Sequence, residues 1–593
     1  MRLNPDQHRG VVAAGHCLIS ACPGSGKTRV LIKRAEHLLA NINNRIAAVT
    51  FTKEAAGEIS SRLIQALGTE CSKRITTGTF HSIAMQQLNS TRSTPVNILN
   101  ENQSRILLRR AWREEAPFDK FIEIIKGVEQ AKATRIPPTD PKGPVARVLY
   151  RYQQLLAERD ALDFNDLVTE AVDGMMSGTV PFVRCTHLLV DEFQDVDQTQ
   201  LSWVIAHVNA GVKVTVVGDD DQSVYKFRHS LGFEGMTAFA EETDAEQITL
   251  ATTYRCAAQI ITLANQLIIN NSARISKRIQ TAETRTGIIE RYDFSNEADE
   301  AEAAGRILMS RPIADDPAKQ ETAVILARTN SVLNTVQTIF DASSPVIPYY
   351  RIGGESIWSK GVPGMIRDLL GAFHGKDGTG IVMMMHAMHC SRDLVHRVDE
   401  ASRKPNAARE LLETEAWKKG MSADEKAEWN AISHSLGEVN SALNAGNAML
   451  AIERVASLAA QADGTRKGES IAAAACNILG EKMEGPLAER LRKLDRRERD
   501  TNKRDRQDPR AIGLMTLHGS KGLEFDRVWI MGVNHGVLPH KDSDPEEERR
   551  LCYVGMTRAK THLTMSRSIE DGKESDFFKE IGLTPTYLPK AGM

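Results

Sequence analysis

The stretch ACPGSGKT, residues 21–28, has the residue types of a phosphate-binding loop. HCLIS before it reads as a short strand, and TRVLIKRAEHLLA after it carries apolar residues at helical spacing. Gly24 and Gly26 would let backbone N–H groups approach phosphates at the positive end of that helix. Lys27 would reach the β- and γ-phosphates, and Thr28 would hold Mg²⁺. Ala21 stands where the general pattern has Gly, and is small enough for the turn. In THLLVDEFQDVDQ, Leu188 to Asp191 reads as a buried strand ending in a carboxylate. Asp191 would bind Mg²⁺ and Glu192 would polarise an attacking water. In KVTVVGDDDQ, Gln222 falls just past another strand, where a side chain can sense a γ-phosphate. GDDDQ alone could be a turn or an acidic calcium loop, but its ligand spacing is irregular. The bland alternatives are a Gly-rich turn and an acidic helix cap; the phosphate loop and the DE pair together outweigh them.

The elements that must position these residues are those of a multidomain α/β protein. The chain has 593 residues, 41% hydrophobic and 26% charged, typical of globular domains. Its net charge of −2 gives no global basic field, although a local groove can still be basic. Eight scattered cysteines without a CxxC pair read as reduced thiols in a cytoplasmic protein. No signal core or membrane-spanning run is visible. Apolar runs alternate with helical patterns, which predicts parallel sheets flanked by helices.

Taken in order, these segments resemble the UvrD/Rep/PcrA family of superfamily 1 DNA helicases. LNPDQ resembles the Q motif, which implies that Gln7 reads adenine. ACPGSGKT resembles the family's own loop, which often begins with Ala, so Ala21, Cys22, Pro23, Gly24, Ser25, Gly26, Lys27 and Thr28 are the expected phosphate cradle. AVTFTKEAAGEISSRL is similar to motif Ia and TGTFHS to motif Ib. DEFQD and VVGDDDQSVYKFR are similar to motifs II and III, and LATTYR to motif IV. The resemblance implies Tyr254 under the adenine and Arg255 at the γ-phosphate. LMTLHGSKGLEFDRVWIMGV resembles motif V and EEERRLCYVGMTRAK motif VI, which implies Glu524 at the ribose and Arg558 as a second arginine at the γ-phosphate. The catalytic set implied is therefore Lys27, Asp191, Glu192, Gln222, Arg255 and Arg558, with ATP and Mg²⁺.

If Arg255 and Arg558 meet one phosphate, the nucleotide sits in a cleft between two domains, and ATP would draw them together. Without the motif context, surface salt bridges would be the default reading for both arginines. The resemblance implies single-stranded DNA across the motor domains, with movement 3′→5′. Phe51, Phe80, Tyr225 and Phe227 could stack on bases, at about 1–3 kcal/mol per base, or simply fill the core. His81, Ser82 and His518 lie in motifs that usually touch the sugar–phosphate backbone in the family, and the resemblance also implies Thr79 and Arg228 among the DNA contacts. Phe227 stands where the family often has Trp, and Lys226 and His229 replace small residues.

The expected organisation is two RecA-like motor domains, each with a largely helical insertion. Motor domain 1A spans 1–87 and 177–255, insertion 1B 88–176, motor domain 2A 256–370 and 509–593, and insertion 2B 371–508. The insertions read as amphipathic helices, and the mixed charge run at 490–510 as a solvated helix and linker. We expect neither a nuclease domain nor an interaction tail beyond motif VI. The leading reading is an ATP-dependent helicase acting on single strands and single-strand/duplex junctions. The alternative is a DNA-stimulated ATPase subunit that needs a nuclease, repair or defence protein partner. A non-catalytic DNA-binding scaffold is disfavoured by the complete set of nucleotide-site residues, and RNA is not excluded by stacking chemistry.

Overall fold

The structure is a computed structural model that describes residues 2–586 apart from 317–318, 353–357, 359–360, 389, 484 and 495–507. Most of the charge run at 490–510 therefore lies outside the described residues. The chain forms two compact units, one of Met1–Thr286 with Glu546–Tyr553, the other of Gly287–Pro545 with Val554–Met593.

The first unit is built on a six-stranded parallel sheet. Its strands are β1 (Cys17–Ala21), β2 (Ile46–Thr50), β3 (Ile75–Thr79), β4 (His187–Val190), β5 (Lys213–Gly218) and β6 (Glu246–Leu250), in the order β3-β2-β4-β5-β1-β6. CLISA, IAAVT and HLLV are buried along their whole length. Such unbroken apolar runs suit a parallel sheet covered on both faces. Alternate residues part to the two faces. Leu18, Ala47, Val49, Leu188 and Val190 enter one core, while Cys17, Ile19, Ala48 and Leu189 enter the other.

The helix Lys27–Leu39 covers one face and is fixed by a buried arginine on its core side. Arg34 Nε donates to Thr215 Oγ1 on β5 at 2.7 Å, and Nη1 donates to the carbonyls of Gly10 and Val11 at 3.1 and 3.2 Å. The preceding helix Pro5–Val12 is closed by a capping box between Asn4 and Gln7.

The first compact unit runs to Thr286, past the boundary at 256 expected between the motor domains. Helix Ala258–Ile268 is followed by a two-residue strand, Gln280–Thr281, that pairs in parallel with Thr252–Thr253. Asn271 Nδ2 also donates to the Glu546 carbonyl at 2.8 Å, which joins the returning segment 546–553 to the same unit. Inside the insertion, helices Glu101–Glu115, Phe121–Thr134 and Pro144–Ala157 share a separate core around Leu108, Ile125 and Tyr152. Helix Asp166–Ser177 instead places Leu167, Val168, Ala171 and Met175 in the motor core.

The second unit holds another six-stranded parallel sheet. Its strands are β7 (Ile288–Phe294), β8 (Ala323–Ala327), β9 (Tyr349–Arg351), β10 (Ile512–Thr516), β11 (Phe525–Met531) and β12 (Ala559–Ser568), in the order β7-β12-β11-β8-β10-β9. A helical insertion with its own core runs from Trp358 to Leu494. That core takes in Ile366, Leu369 and Leu370 of helix Gly361–Ala372, so it begins before the expected boundary at 371. Glu300 is buried beneath β11 and β12; its Oε1 accepts from Ser566 Oγ at 2.5 Å and from Gly532 N at 3.0 Å.

Candidate active site

β1 ends at Ala21 and the chain turns through Cys22, Pro23, Gly24, Ser25 and Gly26 into helix Lys27–Leu39. Both loop glycines are left-handed, with φ of +71° at Gly24 and +83° at Gly26. Gly24 is also sterically required: a Cβ there would lie 2.5 Å from Arg255 Cβ and 2.8 Å from Thr253 Oγ1. The 253–255 segment grips the loop, with Tyr254 N donating to the Gly24 carbonyl at 2.9 Å. Gln7 holds it from the other side. Its Nε2 donates to the Ser25 carbonyl at 3.0 Å and its Oε1 accepts from Asn4 N at 3.0 Å. The side chain expected to read adenine is thus fully buried and braces the loop. Tyr254 is 37% exposed, and its hydroxyl accepts from Asn4 Nδ2 at 3.0 Å. The Ser25 hydroxyl is buried in the loop without a hydrogen-bond partner. Cys22 is also buried, and burial pushes its thiol up to about 12, so it stays protonated.

The acidic pair stands at the tip of β4. Glu192 has φ +52°, a conformation rare for a residue with a Cβ. Its Oε2 meets Lys27 Nζ at 2.8 Å and accepts from Gln194 Nε2 at 2.7 Å. Burial alone would lower the Lys27 pKa, but Glu192, Asp219 and Asp191 together raise it. Asp191 is pushed up to about 7 by burial first and by Glu192 second, with Lys27 and a hydrogen bond from Thr28 opposing. Gln222 closes a short 3₁₀ turn after β5 and donates from Nε2 to Asp219 Oδ2 at 2.5 Å.

The first unit therefore gathers Gln7, the 21–28 loop, Asp191, Glu192, Gln222, Tyr254 and Arg255. Glu524, His518 and Arg558 belong to the second unit. There Glu524 pairs with Lys560 at 3.3 Å. Arg558 is only 1% exposed, with Nε donating to the Val554 carbonyl at 2.9 Å and Nη1 to the Leu523 carbonyl at 3.2 Å.

The aromatic residues divide. Phe51 stacks on Tyr225 at 5.7 Å and 11°, and Tyr225 meets Phe227 edge-on at 5.9 Å. Arg228 lies 5.6 Å from the centres of both the Tyr225 and Phe227 rings, and Phe227 is 61% exposed. Phe80 is a correction. It is 3% exposed and packs edge-on against Trp203 in the motor core, so it cannot meet a base. Thr79 and Ser82 spend their hydroxyls on a reciprocal helix cap. His81 stacks on Phe164 at 3.8 Å, and burial lowers its pKa to about 4, so it brings no charge to a phosphate at neutral pH. Phe164, 57% exposed, is a ring the sequence reading passed over. It stands in ALDFNDL, and only the fold brings it to His81.

A parallel sheet whose first strand feeds a two-glycine loop and a helix, with an acidic pair at a nearby strand tip, defines a P-loop NTPase-type domain. Residues 3–244 match the UvrD/REP helicase N-terminal domain, and residues 396–570 match the UvrD-like helicase C-terminal domain. The chain belongs to the UvrD/REP helicase family. It is 28% identical to an ATP-dependent DNA helicase UvrD1 of Mycobacterium leprae, over 98% of this chain and 85% of that protein. It is also 28% identical to an ATP-dependent DNA helicase PcrA of Staphylococcus epidermidis, over 98% and 86%. A DNA helicase II of Haemophilus influenzae is 27% identical, over 95% and 84%. Among the described residues no helix is long and apolar enough to cross a membrane.

Proposed function

We propose that this protein is an ATP-dependent DNA helicase that moves 3′→5′ on single-stranded DNA. The observation that carries the reading is the Lys27–Glu192 pair, 2.8 Å apart at the mouth of a glycine loop braced by Gln7 and Tyr254. ATP suits this loop: Gly24 and Gly26 hold the left-handed turns of a phosphate cradle at the start of a helix, and the Ser25 hydroxyl has no protein partner. Thr28 and Asp191 are hard oxygen donors that would hold Mg²⁺, which would supply charge neutralisation at the phosphates.

The chain's own residues then divide the work. Lys27 exchanges Glu192 for phosphate oxygen. That frees Glu192 to orient water and accept its proton, with Gln194 keeping the carboxylate in place. Gln222 and Arg255 sense the γ-phosphate, and Arg558 joins them as ATP couples the two motor domains. The exposed ring of Phe227, backed by Tyr225, Phe51 and Arg228, gives a base a stacking platform beside a positive charge. Gln222 and Tyr225 sit on one short loop, so the nucleotide state and the grip on DNA share a structural element.

Single-strand-stimulated ATP hydrolysis by the wild-type protein and by Glu192→Gln tests the reading. Stimulated turnover that vanishes in the variant supports it. Stimulated turnover that persists in the variant moves the chemistry elsewhere.

A further inference from the structure

GDDDQ places three consecutive carboxylates, Asp219, Asp220 and Asp221, in the interior, all 1% exposed or less. Their oxygen atoms lie within 4.8 Å of one another, a spacing that would suit a metal ion. A buried charge has to be paired or to bind a metal, and the fold pairs these. Lys277 Nζ stands 2.7 Å from Asp219 Oδ1, 2.6 Å from Asp220 Oδ1 and 3.3 Å from Asp221 Oδ2, with its side chain fully enclosed. Arg274 adds a two-pronged contact to Asp221, at 2.9 and 2.8 Å, and Ile275 N donates to Asp220 Oδ2 at 2.7 Å. The segment 274–277 thus wraps the triplet.

From this ammonium, contacts lead to the hydrolytic site. Lys277 Nζ lies 3.4 Å from the carbonyl of Ala21, where the phosphate loop begins. Asp219 receives Lys277 on Oδ1 and Gln222 Nε2 on Oδ2. The Asp219 N–H donates to Gln194 Oε1 at 2.9 Å, and Gln194 Nε2 donates to Glu192 Oε2. A hydrogen-bonded chain therefore runs from Lys277 through Asp219 and Gln194 to Glu192, with Gln222 as a branch.

We propose that Lys277 is a positioning residue for ATP hydrolysis, a built-in ammonium that takes the place of a metal ion and sets Gln222 and Glu192 at the reaction centre. Outer-shell partners of this kind fix the groups that touch substrate without touching it themselves. The inference rests on the nucleotide-site reading above.

The test is a set of kinetic and binding measurements on Lys277→Met, Asp219→Asn and Gln222→Ala. Asn at 219 removes the negative charge that faces Lys277 and turns one of its two acceptor atoms into a donor, so the charge-assisted contact at the head of the path is weakened. Each variant is expected to lose kcat for DNA-stimulated ATP hydrolysis by at least about tenfold, with KM for ATP within about threefold of wild type. The double variants Lys277→Met/Gln222→Ala and Asp219→Asn/Gln222→Ala should be no slower than their slowest single parent, because the residues act along one path. A general loss of structure would raise KM and multiply the losses, which would overturn the proposal. Wild-type kcat in Lys277→Met would also overturn it. If Lys277→Met does not fold, the Asp219→Asn/Gln222→Ala cycle decides alone. Unimpaired hydrolysis by Glu192→Gln would overturn the site reading and this inference together. Dependence on Glu192 with multiplying losses would overturn the inference alone.

Discussion

Lys27 Nζ and Glu192 Oε2 are 2.8 Å apart, so the charge suited to phosphate is held by the carboxylate suited to water. In the proposed mechanism each would keep the other out of its reactive role until phosphate oxygen competes for the lysine. Glu192→Gln is expected to lower kcat by roughly 10²- to 10⁴-fold, the scale of a lost general base. It should keep or strengthen ATP binding, because Lys27 loses a competing carboxylate. Lys27→Ala should lose binding and turnover together. Steady-state hydrolysis alongside a fluorescent-nucleotide titration separates these outcomes.

Gly24→Ala should abolish nucleotide binding. The added Cβ meets Arg255 Cβ at 2.5 Å and the backbone stays at φ +71°, so the loop or the 253–255 segment has to move. Strain at a special backbone position is one of the recognised routes to a large effect. The nucleotide titration is the readout, and wild-type affinity would show that the grip on the loop is dispensable.

The aromatic residues should separate into two phenotypes. Phe227→Ala should raise the single-strand concentration for half-maximal ATPase stimulation roughly 5- to 150-fold, equivalent to the loss of one stacked base. Phe164→Ala should act in the same direction, since its ring is exposed beside His81. Phe80→Ala should instead destabilise the fold by about 3–5 kcal/mol, the cost of truncating a core phenylalanine. Thermal denaturation and DNA titration on the three variants check the division.

Glu300 gives the second unit a pH signature. Burial pushes its carboxyl up to about 8 from an ordinary 4.5, with Ser566 and Gly532 only partly opposing. The folded protein holds this proton where the unfolded chain has released it. Stability from this group is therefore full at acidic pH and is lost as pH rises between about 4.5 and 8. Glu300→Gln removes that dependence. The Tm gap between variant and wild type should shift in the variant's favour by a few degrees, about 3 °C or more, from pH 5 to pH 8.5. A constant gap would place the proton elsewhere.

The phosphate loop, the acidic strand tip and the order of the motifs were legible because each is local: a run of apolar residues, a turn and a functional group within a few positions. The parallel sheets followed from the alternation of apolar runs with helical patterns. The fate of the phenylalanines was not legible. Phe80 and Phe227 are the same residue in similar loop-end contexts, and only the packing of Trp203 against one of them decides between core and surface. Nor was Lys277, which lies 58 positions from Asp219 in a segment without a motif signature; the burial of the DDD triplet, which makes a cation necessary, shows only in the fold. The first compact unit runs past the expected boundary at 256 to Thr286, where a two-residue strand pairing and the salt bridges of Arg274 and Lys277 extend it beyond its last long strand.

The most direct test of the central claim is strand displacement by the purified protein on matched duplexes with a 3′ or a 5′ single-stranded tail, with and without ATP. The account predicts ATP-dependent unwinding from the 3′ tail alone. Unwinding from the 5′ tail, or none from either while single strands still stimulate hydrolysis, would contradict it.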